Sequence, residues 1–290
     1  MASFNRRKGK SRLAFPKMRR GVARPLSDTE NGHAIRPSLR RRGIYLLPNA
    51  FTTAALFCGF YAIVMAMNLK FDHASIAIFA AMLLDGIDGR VARLTNTQSE
   101  FGAQYDSLSD MVSFGAAPAL VVYEWSLRGL GKLGWLAAFV YCAGAALRLA
   151  RFNTNIAVID KRYFQGLPSP AAAALVAGFI WLMDDLRFAG TDLSWISWAI
   201  TVFAGLTMVT NVPFYSFKDI NFRKSVPFIA IFLIVLGFVA VSSDPPKVFF
   251  GLFVVYGLSG YVIFFWRMFK GRPVSIIQTE IESGDDRDLH

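Results

Sequence analysis

Apolar runs of about twenty residues recur eight times along this chain, over roughly 50–69, 74–95, 104–127, 131–152, 169–187, 193–212, 226–242 and 247–268. Each is long enough to cross a hydrocarbon core of ~30 Å as a helix. Lipid offers backbone groups no partner, so each span must satisfy its own N–H and C=O groups, which a helix does. The expected fold is an all-α polytopic membrane protein of about eight transmembrane helices. Composition agrees: 54% of residues are hydrophobic, 27 are Phe, and the mean hydropathy is +0.40, which excludes an ordinary soluble domain.

The basic residues give the spans a direction. Of 31 Lys and Arg, 13 lie in residues 1–43, against two acids, Asp28 and Glu30. With the N-terminus placed inside, 26 basic residues fall on that side and five on the other: Lys70, Arg128, Lys132, Arg187 and Lys247. This positive-inside bias puts both termini in the cytoplasm. It also accounts for the net charge of +11 as membrane topology, so no nucleic acid is needed to explain it. Residues 1–43 lack hydrophobic periodicity and any apolar stretch of the kind a secretory signal requires. They read as a basic, disordered cytoplasmic tail drawn to anionic headgroups. Residues 271–290 read as an acidic cytoplasmic tail. Cys58 and Cys142 both fall inside apolar runs and read as small buried hydrophobes, not as a disulfide framework.

Between the second and third runs stands DGIDGRVARLTNTQSEFGAQYDSLSD, residues 85–110. Asp85 and Asp88, three apart, share one helix face; Asp106 and Asp110, four apart, share a face of the next helix. Two antiparallel helices with facing carboxylate pairs make an all-oxygen cage of the kind hard divalent cations prefer. An ionised carboxylate at membrane depth costs at least ~2.5–3.5 kcal/mol, and four together repel. A bound dication, or two, removes both objections. The spaces between the acids are as informative. Gly89 and Ala92 leave room beside Asp88, Arg93 supplies a cation one turn on, and Gly102 permits a close backbone approach. Together they suggest a metal-bridged phosphate ester and metal-assisted phosphoryl transfer, at a site opening towards the cytoplasm.

The pattern D-x2-D-G-x2-A-R-x8-G-x3-D-x3-D resembles the signature of the CDP-alcohol phosphotransferase family at all its fixed positions. That resemblance implies a six-helix core, homodimers, and a Mg2+ or Mn2+ requirement with two ions. It also implies transfer of a phospho-alcohol from a CDP-alcohol to a hydroxyl, with release of CMP. By position, Asp85, Asp88, Asp106 and Asp110 resemble the metal ligands, and Asp110 also the residue that takes the acceptor's proton. Gly89, Arg93, Ser99 and Gly102 resemble contacts to the CDP group, as does the Pro48-Asn49…Thr52 start of the first helix. The stretches DSLSDMVSFGAAPA (106–119), RLARFN (148–153) and FQGLPSPAAAA (164–174) resemble the branch in which CDP-diacylglycerol reacts with L-serine. Ser107 and Met111 stand where glycerophosphate-accepting relatives tend to have Pro and Lys. The resemblance covers roughly residues 45–215. It implies a catalytic core over 44–215, an additional helix pair over 216–270, and residence in a bacterial cytoplasmic membrane among its lipids.

Arg148 and Arg151, three apart at the inner end of the fourth run, are either positive-inside anchors or contacts for the acceptor's carboxylate. Phe164 to Pro170 is either an interhelical turn or a re-entrant wall over the acceptor pocket. Glycerol 3-phosphate, inositol phosphate or choline are alternative acceptors. A reading from another class is a divalent-cation transporter, since intramembrane carboxylates also mark ion pathways. That reading leaves Gly89, Ala92, Arg93 and Gly102 without a role.

Overall fold

The computed structural model describes residues 39–95, 97, 99–154, 163–215 and 228–270. The acidic tail and residues 1–38 of the basic tail lie outside these, as do the loop cations Lys161, Arg162, Lys218, Arg223 and Lys224. The described helices are α1 (Leu39–Met67), α2 (Phe71–Leu94), α3 (Glu100–Asp110), α4 (Ala117–Trp125), α5 (Lys132–Thr154), α6 (Ser169–Asp185), α7 (Ser194–Val209), α8 (Phe228–Ser243) and α9 (Pro245–Phe269). A π-helical turn, Met111–Ala116, joins α3 to α4, so these nine helices form eight rods that follow the eight apolar runs.

Four stretches, Pro48–Met67, Lys132–Thr154, Gly190–Val209 and Pro245–Phe269, are helical, long and apolar enough to cross a membrane. The 24-residue α2 has similar length but carries motif charges towards its C-terminal end. α1 begins at Leu39, so residues 39–43, expected in the tail, belong to its first turns. Arg40, Arg41 and Arg42 are good helix formers, and extending a helix already nucleated over an apolar run is cheap.

The core is packed by small residues. On α6, residues Ala171 to Ala177 are all buried, and α2, α4, α7 and α9 pack around this helix. A Cβ added at Gly144 would sit 2.4 Å from the Gly205 carbonyl oxygen, so α5 and α7 meet backbone to backbone. Phe249, Phe250 and Phe253 of α9 pack against the same core as the earlier helices. The expectation of an appended pair therefore divides. α9 is built into the bundle, whereas α8 leans on α9 and exposes Ile231, Phe232 and residues 234–239 apart from Gly237 as large apolar groups. A helix apolar all round suits contact with lipid.

The segment entering α6 is a two-stranded antiparallel ribbon. β1 (Tyr163–Gln165) pairs with β2 (Pro213–Tyr215) in the register Tyr163 to Tyr215, Phe164 to Phe214 and Gln165 to Pro213. Gly166 follows with φ +76°, its N–H bonded to the Val212 carbonyl at 2.9 Å. A Cβ there would lie 2.4 Å from the Met208 carbonyl oxygen, so the turn needs glycine twice over. The all-α expectation holds apart from this ribbon, which no periodicity could announce because each strand is three residues long.

Candidate active site

The site is built on α1, which packs against both α2 and α3 and holds the C-terminal part of α2 and α3 around a cleft. Polar side chains fasten α3 and its π-turn to α1. Ser109 Oγ donates to the Thr52 carbonyl at 3.1 Å, and Ser113 Oγ donates to that of Ala55 at 3.1 Å. The Thr53 and Tyr105 hydroxyls meet at 2.9 Å. Gly59 faces this seam; a Cβ there would lie 2.5 Å from Ser113 Oγ. Where α3 gives way to α4, Pro118 has no N–H to offer the Phe114 carbonyl, and Tyr141 of α5 donates its hydroxyl to that oxygen at 3.0 Å. The π-turn starts directly after Asp110. Such turns re-aim the residues beside them and recur at functional sites.

The four aspartates converge. Asp85, Asp88 and Asp106 each offer a carboxylate oxygen, and these oxygens lie within 4.8 Å of one another. The Asp110 side chain is within hydrogen-bond reach of Asp85. Asp88 is buried, and Thr52 Oγ1 donates to its Oδ2 at 2.8 Å. Among the described residues, no Lys or Arg comes within ion-pairing distance of the four. Oδ1 of Asp106 is shut off from solvent without a hydrogen-bond partner. An orphaned carboxylate oxygen beside two other carboxylates is poorly placed for water or protein partners and well placed to ligate a hard cation. The residues present therefore fit a divalent ion.

A cleft of about 310 Å³ opens beside the cluster. Its lining includes Asp88, Asp106 and every residue singled out in the sequence as a nucleotide contact: Pro48, Asn49, Thr52, Gly89, Arg93, Ser99 and Gly102. A Cβ at Gly89 would meet nothing within 4 Å, so the space over α2 is open where the motif predicts a ligand. At Gly102 a Cβ would lie 3.1 Å from Ser99 Oγ and 3.5 Å from Asn49 Oδ1, which explains the second glycine by close approach. Ser99 has a structural task as well: its Oγ accepts the Gly102 N–H at 3.0 Å and caps α3. Ala92, Ala103 and buried Thr97 complete the wall. Thr97 carried no signal in the sequence, because it sits in the loop between the two halves of the motif.

The two arginines of α5 separate. Arg151 Nη2 donates to the Val209 carbonyl at 2.7 Å, and its Nη1 to Asn211 Oδ1 at 3.1 Å, so this side chain ties α5 to the end of α7. Asn211, two residues beyond the end of α7, serves as that anchor. Arg148 lies close enough to Asp110 for their charges to interact. Its Nη1 donates to Ser169 Oγ at 2.9 Å, while Nε is buried without a partner. An uncommitted guanidinium N–H beside the aspartates is what a second, anionic ligand would require.

A family model described as CDP-alcohol phosphatidyltransferase matches residues 45–209. The chain belongs to this family. It is an integral membrane protein with an aspartate cluster that can hold a metal ion. Three curated relatives carry the name CDP-diacylglycerol–serine O-phosphatidyltransferase. That of Helicobacter pylori strain J99 is 35% identical over 223 residues, covering 76% of this chain and 92% of the relative. That of Mycobacterium tuberculosis strain H37Rv is 34% identical over 180 residues, covering 60% and 63%. That of Saccharomyces cerevisiae is 34% identical over 206 residues, covering 66% and 67%. The family match ends at Val209, so α9 lies beyond it although it packs into the same core.

Proposed function

We propose that this family member transfers the phosphatidyl group of CDP-diacylglycerol to the hydroxyl of L-serine, giving phosphatidylserine and CMP. The observation that carries the reading is one cleft lined by every nucleotide-contact position of the motif and floored by its aspartates. The names of the relatives supply the donor and acceptor.

In this reading the CDP group lies along Pro48, Asn49 and Thr52 on one side and Gly89, Ser99 and Gly102 on the other, with Arg93 beside its phosphates. Mg2+ or Mn2+, as two ions held by Asp85, Asp88, Asp106 and Asp110, would supply Lewis-acid neutralisation of the pyrophosphate. Arg148 takes the serine carboxylate through its free Nε and turns the hydroxyl towards Asp110. Arg151, whose Nη1 and Nη2 are engaged, contributes to that pocket by holding α5 in place. Asp110 accepts the hydroxyl proton as the serine oxygen bonds to the phosphorus bearing diacylglycerol. The bond from that phosphorus to the CMP oxygen breaks, and CMP departs with the electron pair.

We place the catalytic unit over 44–215 and all eight rods across the membrane. The site and both termini face the cytoplasm, the membrane is a bacterial inner one, and the protein works as a homodimer. A cation pathway would have no use for Arg93 in the cleft that holds the acids. The test is CMP release from CDP-diacylglycerol by purified protein in detergent with Mn2+. The reading predicts release that depends on serine and exceeds that with glycerol 3-phosphate, inositol phosphate or choline; release independent of serine would overturn it.

A further inference from the structure

Three of the polar side chains in the last turns of α5 each tie the helix to a different neighbour. Arg148 reaches Ser169 at the start of α6, and Arg151 reaches Val209 and Asn211 at the end of α7. Asn153 reaches back 46 residues to α3: its Nδ2 donates to Ser107 Oγ at 3.0 Å. Ser107 Oγ also lies 3.4 Å from Asn153 Oδ1 and 3.1 Å from the Ala103 carbonyl oxygen, either of which can accept its proton. Among the described residues, the Ser107–Asn153 pair makes the only hydrogen bonds between α3 and α5.

The location of this pair matters. Ser107 follows Asp106 in the chain and precedes Asp110 by three residues; Asn153 lies five residues beyond Arg148. The pair therefore joins the helix bearing two aspartates to the helix bearing the uncommitted guanidinium. α5 packs on the π-turn, on α4 and on α7. The π-turn, with its i→i+5 bonding, stands between α3 and α4 and re-aims the one relative to the other. α1 fastens α3 on one side through Ser109 and Tyr105, and the Ser107–Asn153 bond ties it to α5 on the other.

We propose that Ser107 and Asn153 are positioning residues, a strut that sets the separation between Arg148 and the aspartates and so tunes affinity for the acceptor. This rests on the reading above in one respect, that Arg148 meets the acceptor. The strut meets the nucleotide cleft lining only through the Ser107 Oγ bond to the Ala103 carbonyl, a bond within α3 that Asn153→Ala leaves in place, so loss of the α3–α5 tie bears on the acceptor and spares the donor.

The experiment is a double-mutant cycle on the full chain in detergent, with Ser107→Ala, Asn153→Ala and the pair assayed by CMP release. Loss of one neutral hydrogen bond corresponds to an increase of about three- to tenfold in KM for serine. The KM for CDP-diacylglycerol stays at the wild-type value, and the double variant is no worse than either single one. An unchanged acceptor KM in both single variants would overturn the strut. So would effects that multiply in the double variant, or equal rises in donor and acceptor KM. Ser107→Ala, the smaller change, carries the test if Asn153→Ala does not fold. Wild-type protein is run beside the variants with the acceptor panel. A wild type that prefers another acceptor sinks the serine reading alone, and the variants are then scored on the KM of the acceptor it uses.

Discussion

Replacing Thr52 by Val keeps the shape of the side chain in α1 and removes its hydroxyl. In the native structure that hydroxyl donates to Asp88 Oδ2 at 2.8 Å, and both residues are buried, at 4% and 5% exposure. Water has no easy route to replace the lost donor. A hydrogen bond to a charged group is worth about 1.5–3 kcal/mol, a factor of roughly ten to a hundred in an equilibrium constant. Removing a partner that orients a metal ligand typically weakens metal affinity by about 10–100-fold. The two estimates agree, and the second says where the loss appears. CMP release by Thr52→Val, titrated with Mn2+, should show the half-activating concentration raised about 10–100-fold. Turnover at saturating Mn2+ should change far less, because the carboxylates themselves remain. An unchanged Mn2+ curve together with a raised KM for CDP-diacylglycerol would take the hydroxyl away from the metal ligand and assign it to the nucleotide.

Three further outcomes follow from the same geometry. Asp110→Asn should lower kcat by about 10²–10⁴-fold, the usual contribution of a general base, with CDP-diacylglycerol still bound in a direct binding assay. Gly89→Val should raise the KM for CDP-diacylglycerol without lowering the melting temperature, since its side chain enters open space over α2. Arg148→Ala should raise the KM for serine, whereas Arg151→Ala, which loses bonds to Val209 and Asn211, should show itself mainly as a lower melting temperature.

The sequence disclosed long-period features well and short or distant ones poorly. Apolar length marks a membrane helix directly, so the expected fifth run, 169–187, corresponds to α6 at Ser169–Asp185, and the eighth, 247–268, to α9 at Pro245–Phe269. The aspartates were legible because three- and four-residue spacing on a helix fixes a face. The cleft lining was legible because small residues and one cation punctuate the acids. The intermediary was not legible. The acids were expected on two helices facing each other directly, whereas α1 binds α2 and α3 to itself through Thr52, Thr53, Ser109 and Ser113. Hydroxyl groups that bond to a carbonyl or to another hydroxyl leave no periodic trace. The π-turn after Asp110, the ribbon between Tyr163 and Tyr215, and the Ser107–Asn153 pair escaped for the same reason, each being local in space but short in sequence or far apart along it. Arg148 and Arg151 looked equivalent because both were expected as inner-side cations on one helix. Their separation depends on which carbonyls happen to end α7.

On the function proposed above, the converging aspartates are tolerated in a membrane protein because they hold a dication that grips the donor's phosphates. Direct Mn2+ binding to the detergent-solubilised protein, followed by electron paramagnetic resonance, tests it without relying on turnover. The account predicts saturable binding by the wild type, tightened by CDP-diacylglycerol and weakened at least about tenfold in Asp106→Asn, whose native Oδ1 has no other partner. Equal Mn2+ binding by wild type and Asp106→Asn, with no response to the nucleotide lipid, would contradict it.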